Sequence, residues 1–294
     1  MSVNYPTALL RCAAAAESVD YRAAHDAGGT LMKVHHLNCG TMRPLGVPDP
    51  LVCHVLVIET NGGLVLVDSG FGTNDCARPD GLGRIRRRLI RPAFDHAETL
   101  AAQLPLLGFR SSDVRHIIVT HFDADHIGGL ADFPDATVHV TAREAFSAMR
   151  SRSIQSRIRF QPSQWAHGPK LVEHEAEGES WRGFAAAKQL SEIGPGFALV
   201  PLPGHTDGHA CVAVDAGDRW LLHAGDAFFH LSEVGDGPPM PKSLAAFEMA
   251  VAADRKKVRD NHARLTELYR RREPDLMILC SHDPALYQRA KATG

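Results

Sequence analysis

Short apolar runs separated by polar turns recur along most of the chain and predict β-strands. Residues 32–37 and 52–58 are rich in aliphatic and β-branched side chains, and the Thr-Asn-Gly-Gly sequence at 60–63 leads into a third run at 64–67. Asn-Gly followed by glycine is typical of a tight hairpin turn, so we expect the second and third runs to pair. Further runs of strand length lie at 117–119, 136–140, 198–202, 210–214, 220–223 and 276–279.

Helical periodicity appears between these runs. Apolar positions spaced by three or four residues predict helices at 95–104, 142–149 and 244–271. Strands and helices mixed in this way indicate a layered α/β fold. We expect residues 1–30 to be a peripheral N-terminal extension and residues 31–294 to form one domain. Residues 151–195 differ in composition from the segments before them, with alternating Arg and Ser followed by scattered aromatic residues. We interpret them as an insertion that covers the functional site.

Composition narrows the class of protein. Of the 294 residues 44% are hydrophobic and 22% charged, and 32 basic against 34 acidic residues give a net charge of -2. This balance argues against a nucleic-acid partner. An arginine-rich run at 84–91 is best explained as a solvated helix face, and steering of an anionic substrate is the alternative. No apolar run approaches the roughly 20 residues that cross a bilayer. Six cysteines without CxxC spacing favour reduced thiols in a cytoplasmic protein. The expected partner is a small-molecule substrate. The oligomeric state is not predicted.

The strongest chemical signal directly follows the apolar run at 117–119. Residues 120–129 read Thr-His-Phe-Asp-Ala-Asp-His-Ile-Gly-Gly, which places His121, Asp123, Asp125 and His126 within six positions. Carboxylates and imidazoles crowded together in this way repel each other or lack partners unless a cation joins them. Imidazole with carboxylate suits zinc, and iron or manganese are alternatives. The motif therefore predicts a metal site.

Three more residues of the same kinds occur just beyond apolar runs. His205 follows the run at 198–202, Asp226 follows 220–223, and His282 follows 276–279. Functional sites of open sheets lie at the carboxyl ends of strands, so these side chains can converge on one edge with the motif. By contrast, His54, His139 and His223 lie inside apolar strands and are predicted to be core histidines.

The pattern H-x-D-x-D-H followed by a later His, Asp and His resembles the metallo-β-lactamase superfamily. Residues 204–209, Gly-His-Thr-Asp-Gly-His, are similar to its G-H-T-x-G-H segment, and Gly225-Asp226 to its G-D. The resemblance implies an αβ/βα sandwich, two packed mixed sheets flanked by helices. It implies two divalent ions, zinc in first place. His121, Asp123 and His205 would bind one, Asp125, His126 and His282 the other, and Asp226 both. The family has His where this chain has Asp123, which raises iron and manganese as alternatives.

The resemblance also implies supporting and substrate-contacting residues. Asp68 lies in a turn similar to the family's early D-T-G, and with Thr120 it is a candidate to orient the ligands. Asp125 is the candidate catalytic residue, placed to relay a proton. We expect an aromatic pocket over the site, with no cationic anchor evident. The candidates for this pocket are Trp165, Trp181, Phe184, Phe229 and His230.

Within the superfamily the layout is most similar to the lactonase-like hydrolases, which implies hydrolysis of an ester bond, a lactone in first place. Those lactonases have a tyrosine three residues after the shared Asp, where this chain has Phe229. A thioesterase of the glyoxalase II type has the same ligand order and is the first alternative. A redox di-iron protein is the second, because oxygen-handling members of the superfamily also have a carboxylate at the position of Asp123.

Overall fold

The computed structural model describes residues 32–293, so the predicted N-terminal extension, residues 1–30, lies outside the described residues. Two six-stranded sheets pack face to face, with helices on their outer faces. The α/β sandwich predicted from the sequence is confirmed. No helix in this part of the chain is long and apolar enough to cross a membrane.

The first sheet has the strand order β1-β2-β3-β4-β5-β6, and the second has the order β12-β11-β10-β9-β8-β7. The strands are β1 Val34–Met42, β2 Leu51–Thr60, β3 Gly63–Val67, β4 Val114–Ile118, β5 Thr137–Thr141, β6 Lys170–His174, β7 Glu179–Trp181, β8 Phe184–Gln189, β9 Phe197–Pro201, β10 Ala210–Asp215, β11 Trp220–His223 and β12 Leu276–Leu279.

Parallel pairing brings the ends of the site-bearing strands together. In the first sheet β3 through β6 are parallel, with Val67 opposite Ile118 and Ile118 opposite His139. In the second sheet β11 and β12 are parallel, and His223 lies opposite Leu279. The segments that follow β3 and β4, and those that follow β11 and β12, therefore leave each sheet at one edge.

Each sheet buries both faces. Aliphatic residues of the two sheets, among them Ile118 of β4 and Val212 of β10, form the layer between the sheets. The helices are α1 Thr73–Ala77, α2 Arg84–Ile90, α3 Leu100–Gln103, α4 Ala124–Ile127, α5 Ala142–Ala145, α6 Ile154–Arg159, α7 Lys242–Val251, α8 Arg255–Arg270 and α9 Pro284–Lys291. Buried residues of α3, α4 and α5 pack against the outer face of the first sheet, and those of α8 against the outer face of the second. Strands buried on two faces explain the nearly continuous apolar runs of the sequence.

The prediction of a single helix at 244–271 was wrong, because two helices, α7 and α8, occupy this stretch. Asp254 caps the second helix, since its side chain accepts hydrogen bonds from the backbone N–H groups of Lys256 and Lys257 at the start of α8. The backbone N–H groups of Ala253 and Asp254 donate to the carbonyls of His205 and Gly204 at 2.9 Å. The break between the helices therefore supports the loop that carries His205.

The interpretation of residues 151–195 as an insertion covering the site was wrong for most of its length. Residues 170–174 are the edge strand of the first sheet, and residues 179–181 and 184–189 complete the second sheet. The scattered aromatics of this segment are therefore core residues of the sheets. The part of the segment that borders the cleft described below is α6, with Gln161 just after it.

Candidate metal centre

The structure brings the seven predicted ligands together at one edge of the sandwich. His121, Asp123, Asp125 and His126 follow β4, and the other three follow β9, β11 and β12. The five side chains of His121, His126, His205, Asp226 and His282 are at most 3% exposed. Asp123 and Asp125 retain some exposure to the cleft in front of the centre.

Local packing shapes the motif loop. Asp123 precedes α4, and its carbonyl accepts the backbone N–H of His126 at 3.0 Å, so Asp125 and His126 lie in the first helical turn. A Cβ atom at Gly129 would lie 2.6 Å from the backbone carbonyl oxygen of Ser69, so only glycine permits this approach to the turn that follows β3. The Gly128-Gly129 pair therefore lets the metal-binding motif pack closely against the turn that follows β3.

One group of donor atoms surrounds Asp123. Its Oδ2 lies 3.5 Å from His121 Nε2 and 3.2 Å from His205 Nε2. The three donor atoms of this group lie within 4.8 Å of one another. A tetrahedral zinc ion with bonds of about 2.0–2.1 Å holds its ligand atoms about 3.3 Å apart, which is close to these separations.

A second group surrounds Asp125 and shares Asp226 with the first. Asp125 Oδ2 lies 3.5 Å from both His126 Nε2 and His282 Nε2. Asp226 Oδ2 lies 3.1 Å from His282 Nε2 and 3.3 Å from His205 Nε2, and Asp226 Oδ1 lies 3.3 Å from His126 Nε2. The Asp226 carboxylate thus contacts both groups, as a bridging ligand would.

The chemistry of these atoms fits a divalent metal. His121 Nε2, His126 Nε2 and Asp226 Oδ1 are buried without a hydrogen-bond partner among the described residues. Burial acts to lower the pKa of His126, but the carboxylates of Asp226, Asp125 and Asp68 raise it well above its ordinary value. Such carboxylates require nearby positive charge, and metal ions between the two groups would supply it while taking up the unpaired donor atoms.

Asp68 and Thr120 hold the ligands from behind. Asp68 Oδ2 accepts a hydrogen bond from His126 Nδ1 at 2.8 Å, and Asp68 Oδ1 accepts from the backbone N–H of Thr120 at 2.8 Å. The Thr120 hydroxyl lies 3.0 Å from His121 Nδ1. Although burial acts to raise it, the pKa of Asp68 is lowered by the adjacent His126. The carboxylate therefore orients one nitrogen of His126 so that the other faces the centre.

Replacing Asp68 with Asn tests this role. Asp68 has a φ of 59°, a conformation that Asn also tolerates, so the Asp68→Asn variant should keep the turn and lose the charge. We expect metal affinity to fall by about 10- to 100-fold, because the carboxylate makes His126 a stronger ligand. Competition with a chromophoric chelator measures this change. An affinity equal to that of the parent protein would show that Asp68 serves only the turn.

Glu144 and His209 support the loop of His205, although the sequence pattern did not single out Glu144. The buried Glu144 carboxylate accepts hydrogen bonds from Phe122 N at 2.9 Å, Thr206 Oγ1 at 2.7 Å and Gly208 N at 3.0 Å. His209 Nε2 accepts the backbone N–H of Asp226 at 3.0 Å. These contacts join the loops after β4, β9 and β11.

Arg159 is the main residue that the sequence reasoning missed. Its Nε and Nη2 donate to the two carboxylate oxygens of Asp123 at 2.8 and 2.5 Å, and Nη2 lies 2.6 Å from His205 Nε2. Burial alone would raise the pKa of Asp123, but the guanidinium holds it well below its ordinary value. No periodicity or motif marks Arg159 in the sequence, and only its place within the segment expected to cover the site pointed to it.

A cleft of about 1050 Å³ opens in front of the centre. Its walls are mainly apolar and come from α2, α6, α7 and the segment after β11. Arg84, Arg86 and Arg159 also line it, so the expectation of a pocket without a cationic anchor was wrong. Around the mouth, Ile85, Ile154 and Ile158 are 80%, 78% and 70% exposed.

Of the five predicted pocket residues, the structure places only Phe229 in the lining. Trp181 and Phe184 are buried in the core of the second sheet, and Trp165 packs on Phe122 against the first. His230 accepts the backbone N–H of Ser232 and caps a short turn. The prediction of an aromatic cover was wrong, because these rings complete the sheet cores.

Comparisons with known proteins identify the family that this chain resembles. A family model described as the metallo-beta-lactamase superfamily matches residues 48–282. A protein of Mycobacterium tuberculosis named a probable metallo-hydrolase is 56% identical over 271 residues, which span 92% of this chain and 86% of that protein. An N-acyl homoserine lactonase of Bacillus thuringiensis is 24% identical over 237 residues, 80% of this chain and 81% of that one.

Solved structures show the same fold. An N-acyl homoserine lactone hydrolase with the product N-hexanoyl-L-homoserine bound at its catalytic metal center has a TM-score of 0.62 at 20% identity, covering 89% of this chain and 97% of that one. A probable metal-dependent hydrolase from Staphylococcus aureus has a TM-score of 0.61 at 18% identity, covering 86% and 90%. With the family model and the 56% identical relative, these matches confirm that the chain belongs to the metallo-β-lactamase superfamily.

Proposed function

We propose that this protein is a dinuclear metal-dependent hydrolase that opens a lactone carrying an apolar acyl chain. The observation that supports this most directly is the position of the seven-ligand centre at the base of a large apolar cleft. The lactonase names of its relatives at low identity favour the same substrate class.

The ligand groups suggest how two ions would be held. His121, Asp123 and His205 would hold the first ion, Asp125, His126 and His282 the second, and Asp226 would contact both. When bound, such ions supply an acidified water molecule and an electrophile for the ester carbonyl. Imidazoles favour zinc, while the third carboxylate keeps iron and manganese as alternatives.

The chain's own residues would then position and protonate the substrate. Asp125 lines the cleft and contacts two histidines of the centre, so it is placed to accept the proton lost by the attacking water and to pass it to the departing ring oxygen. Arg159 stands where the centre meets the cleft and has donors directed at Asp123. It holds Asp123 in place and provides positive charge close to the carbonyl oxygen that becomes negative during attack.

The exposed isoleucines at the cleft mouth support an acyl chain in the substrate. Ile85 of α2 and Ile158 of α6 both line the cleft. Arg86 Nη2 donates to the Ile158 carbonyl at 2.8 Å, which joins the two helices. An apolar chain lying on these side chains removes their surface from water, which contributes about 0.8 kcal/mol for each buried methylene. The cleft therefore favours lactones with longer chains over unsubstituted rings.

A substrate panel tests the proposal. We expect kcat/KM for lactones to rise by about fourfold for each added methylene until the chain leaves the cleft. An Ile158→Asn variant should flatten this dependence, while Leu106→Asn is the control because Leu106 is 83% exposed and lies outside the cleft lining. Acyl-glutathione thioesters, aryl esters and β-lactams complete the panel. Thioesters tenfold better than every lactone would favour the thioesterase alternative, and an inactive iron protein that consumes oxygen would favour the redox one.

The Phe229 position gives a further prediction. The ring is buried, lines the cleft and lies with its centroid 4.9 Å from that of His282. A phenol at this place could donate to the substrate, so we expect Phe229→Tyr to raise kcat/KM on acyl-homoserine lactones by about tenfold. Steady-state kinetics on one lactone measure the change, and Phe247→Tyr is the matched control in the same cleft. An unchanged or lower value for Phe229→Tyr would mean that donation at this position does not limit the reaction.

A further inference from the structure

We propose that His139, His174 and Glu192 form a third metal site, a zinc site that joins the two sheets away from the candidate metal centre. His139 belongs to β5 and His174 to β6, at the edge of the first sheet. Glu192 lies between β8 and β9 of the second sheet. The three donor atoms meet at the border of the two sheets.

Strand register explains why the imidazoles meet. Thr141 lies opposite His174, and Ile118 lies opposite His139, so His139 and His174 are two positions apart on parallel neighbours. Side chains two positions apart share one face of a sheet. Ile118 belongs to the layer between the sheets, so this face is directed at the second sheet. His116 of β4 continues the same diagonal row, since it lies opposite Thr137.

The distances between the donor atoms match one metal ion. His139 Nδ1 lies 3.1 Å from His174 Nε2 and 3.6 Å from Glu192 Oε1, and His174 Nε2 lies 3.4 Å from Glu192 Oε1. Tetrahedral zinc with bonds of about 2.0–2.1 Å separates its ligand atoms by about 3.3 Å. The three separations lie on either side of this value, and two imidazoles with a carboxylate are an established donor set for zinc.

A neighbouring histidine favours metal binding at one nitrogen of His139. His139 Nε2 lies 3.0 Å from His116 Nδ1. With the proton of His139 on Nε2 and donated to His116, the lone pair of Nδ1 is free for the ion, which is the usual arrangement behind a metal-binding histidine.

The position of the site suggests a structural role. Glu192 is 41% exposed, so water can complete a fourth ligand position. Glu192 precedes β9, whereas His205 of the metal centre follows it, so the two sites belong to opposite ends of that strand. An ion here links the edge strand β6 to the second sheet, and binding to the folded state alone stabilises the fold.

Zinc titration of the full chain tests the site. The protein is stripped with a chelator and titrated with Zn²⁺ alone, and bound zinc is counted by mass spectrometry together with the melting temperature and hydrolase activity. We expect His174→Ala and Glu192→Ala each to bind one equivalent less than the parent protein and to lose part of its zinc-dependent rise in melting temperature. Hydrolase activity should be unchanged in both.

Controls separate this site from the metal centre and from a general folding defect. Glu177→Gln removes an exposed carboxylate three positions after His174 and should keep the zinc count of the parent. Glu192→Ala changes a half-exposed side chain, so it keeps the test decisive if His174→Ala does not fold. Cobalt loading should give the parent a stronger tetrahedral absorption band than Glu192→Ala, which keeps only the cobalt bound at the metal centre. Equal zinc counts and equal melting curves for the parent and Glu192→Ala would overturn the proposal, because the three side chains would then form only a hydrogen-bonded cluster.

Discussion

Asp226→Ala is expected to lower kcat/KM by at least about a thousandfold, which corresponds to about 4 kcal/mol of transition-state stabilisation. The Asp226 carboxylate contacts His282 and His205 through one oxygen and His126 through the other, so it belongs to both ligand groups. Its removal leaves three histidines facing one another without the anion that balances a pair of cations. Bound metal should fall to less than half of the parent value at the centre, measured by elemental analysis of the same samples.

The control for this variant is Asp207→Ala. Asp207 lies two positions from His205 but is exposed, and its carboxylate contacts Arg143 at 3.2 Å rather than the centre. We expect parent-like activity and metal content there, since an exposed ion pair contributes little. An Asp226→Ala protein that keeps both its metal and its activity would contradict the bridging role and the ligand assignment that rests on it.

Arg159→Ala is expected to lower kcat/KM by about a hundredfold, or about 2.7 kcal/mol. Two effects act together. The Asp123 carboxylate loses the guanidinium that neutralises it and fixes its orientation. The cleft also loses the positive charge that lies beside Asp123 and His205. Steady-state kinetics should show the loss mainly in kcat, because the guanidinium acts where negative charge develops during attack.

Two further variants separate charge from geometry. Arg159→Lys keeps the positive charge but cannot donate to both oxygens of Asp123, so we expect it to recover part of the rate. Arg157→Ala removes an exposed arginine from the same helix and should have no effect. Arg159→Ala with full activity would contradict the role proposed here. A rise in metal affinity in that variant would show that the guanidinium competes with an ion for Asp123 and His205.

Much of the fold and all seven candidate ligands could be predicted from the chain. The apolar runs of β3, β4, β9, β11 and β12 are continuous because both faces of each sheet are buried, and a polar residue just beyond such a run has few local reasons to be there. His121, His205 and His282 follow this rule independently. Their convergence was therefore predictable before any contact between them was known.

The segment at 151–195 shows where such reasoning fails. Trp181 and Phe184 are aromatic residues of the kind that often line an apolar pocket. In the structure, however, Trp181 of β7 and Phe184 of β8 are buried in the core of the second sheet. Strands β6 and β7 are edge strands, and β8 lies next to the edge. All three contain exposed positions, so their pattern is hard to distinguish from that of an irregular loop. Arg159 was missed for a related reason, since its partners Asp123 and His205 are 36 and 46 positions away.

The amino-acid sequence by itself thus determined the architecture, the family resemblance and the identity of the candidate ligands, because these depend on local periodicity and on residue types at strand ends. Only the tertiary structure decided what faces those ligands. The pairing of Arg159 with Asp123, the apolar mouth formed by α2 and α6, and the approach of Glu192 to His139 and His174 all join segments distant in sequence. Contacts of this kind depend on how the two sheets and their helices pack, and no local pattern in the chain encodes that packing.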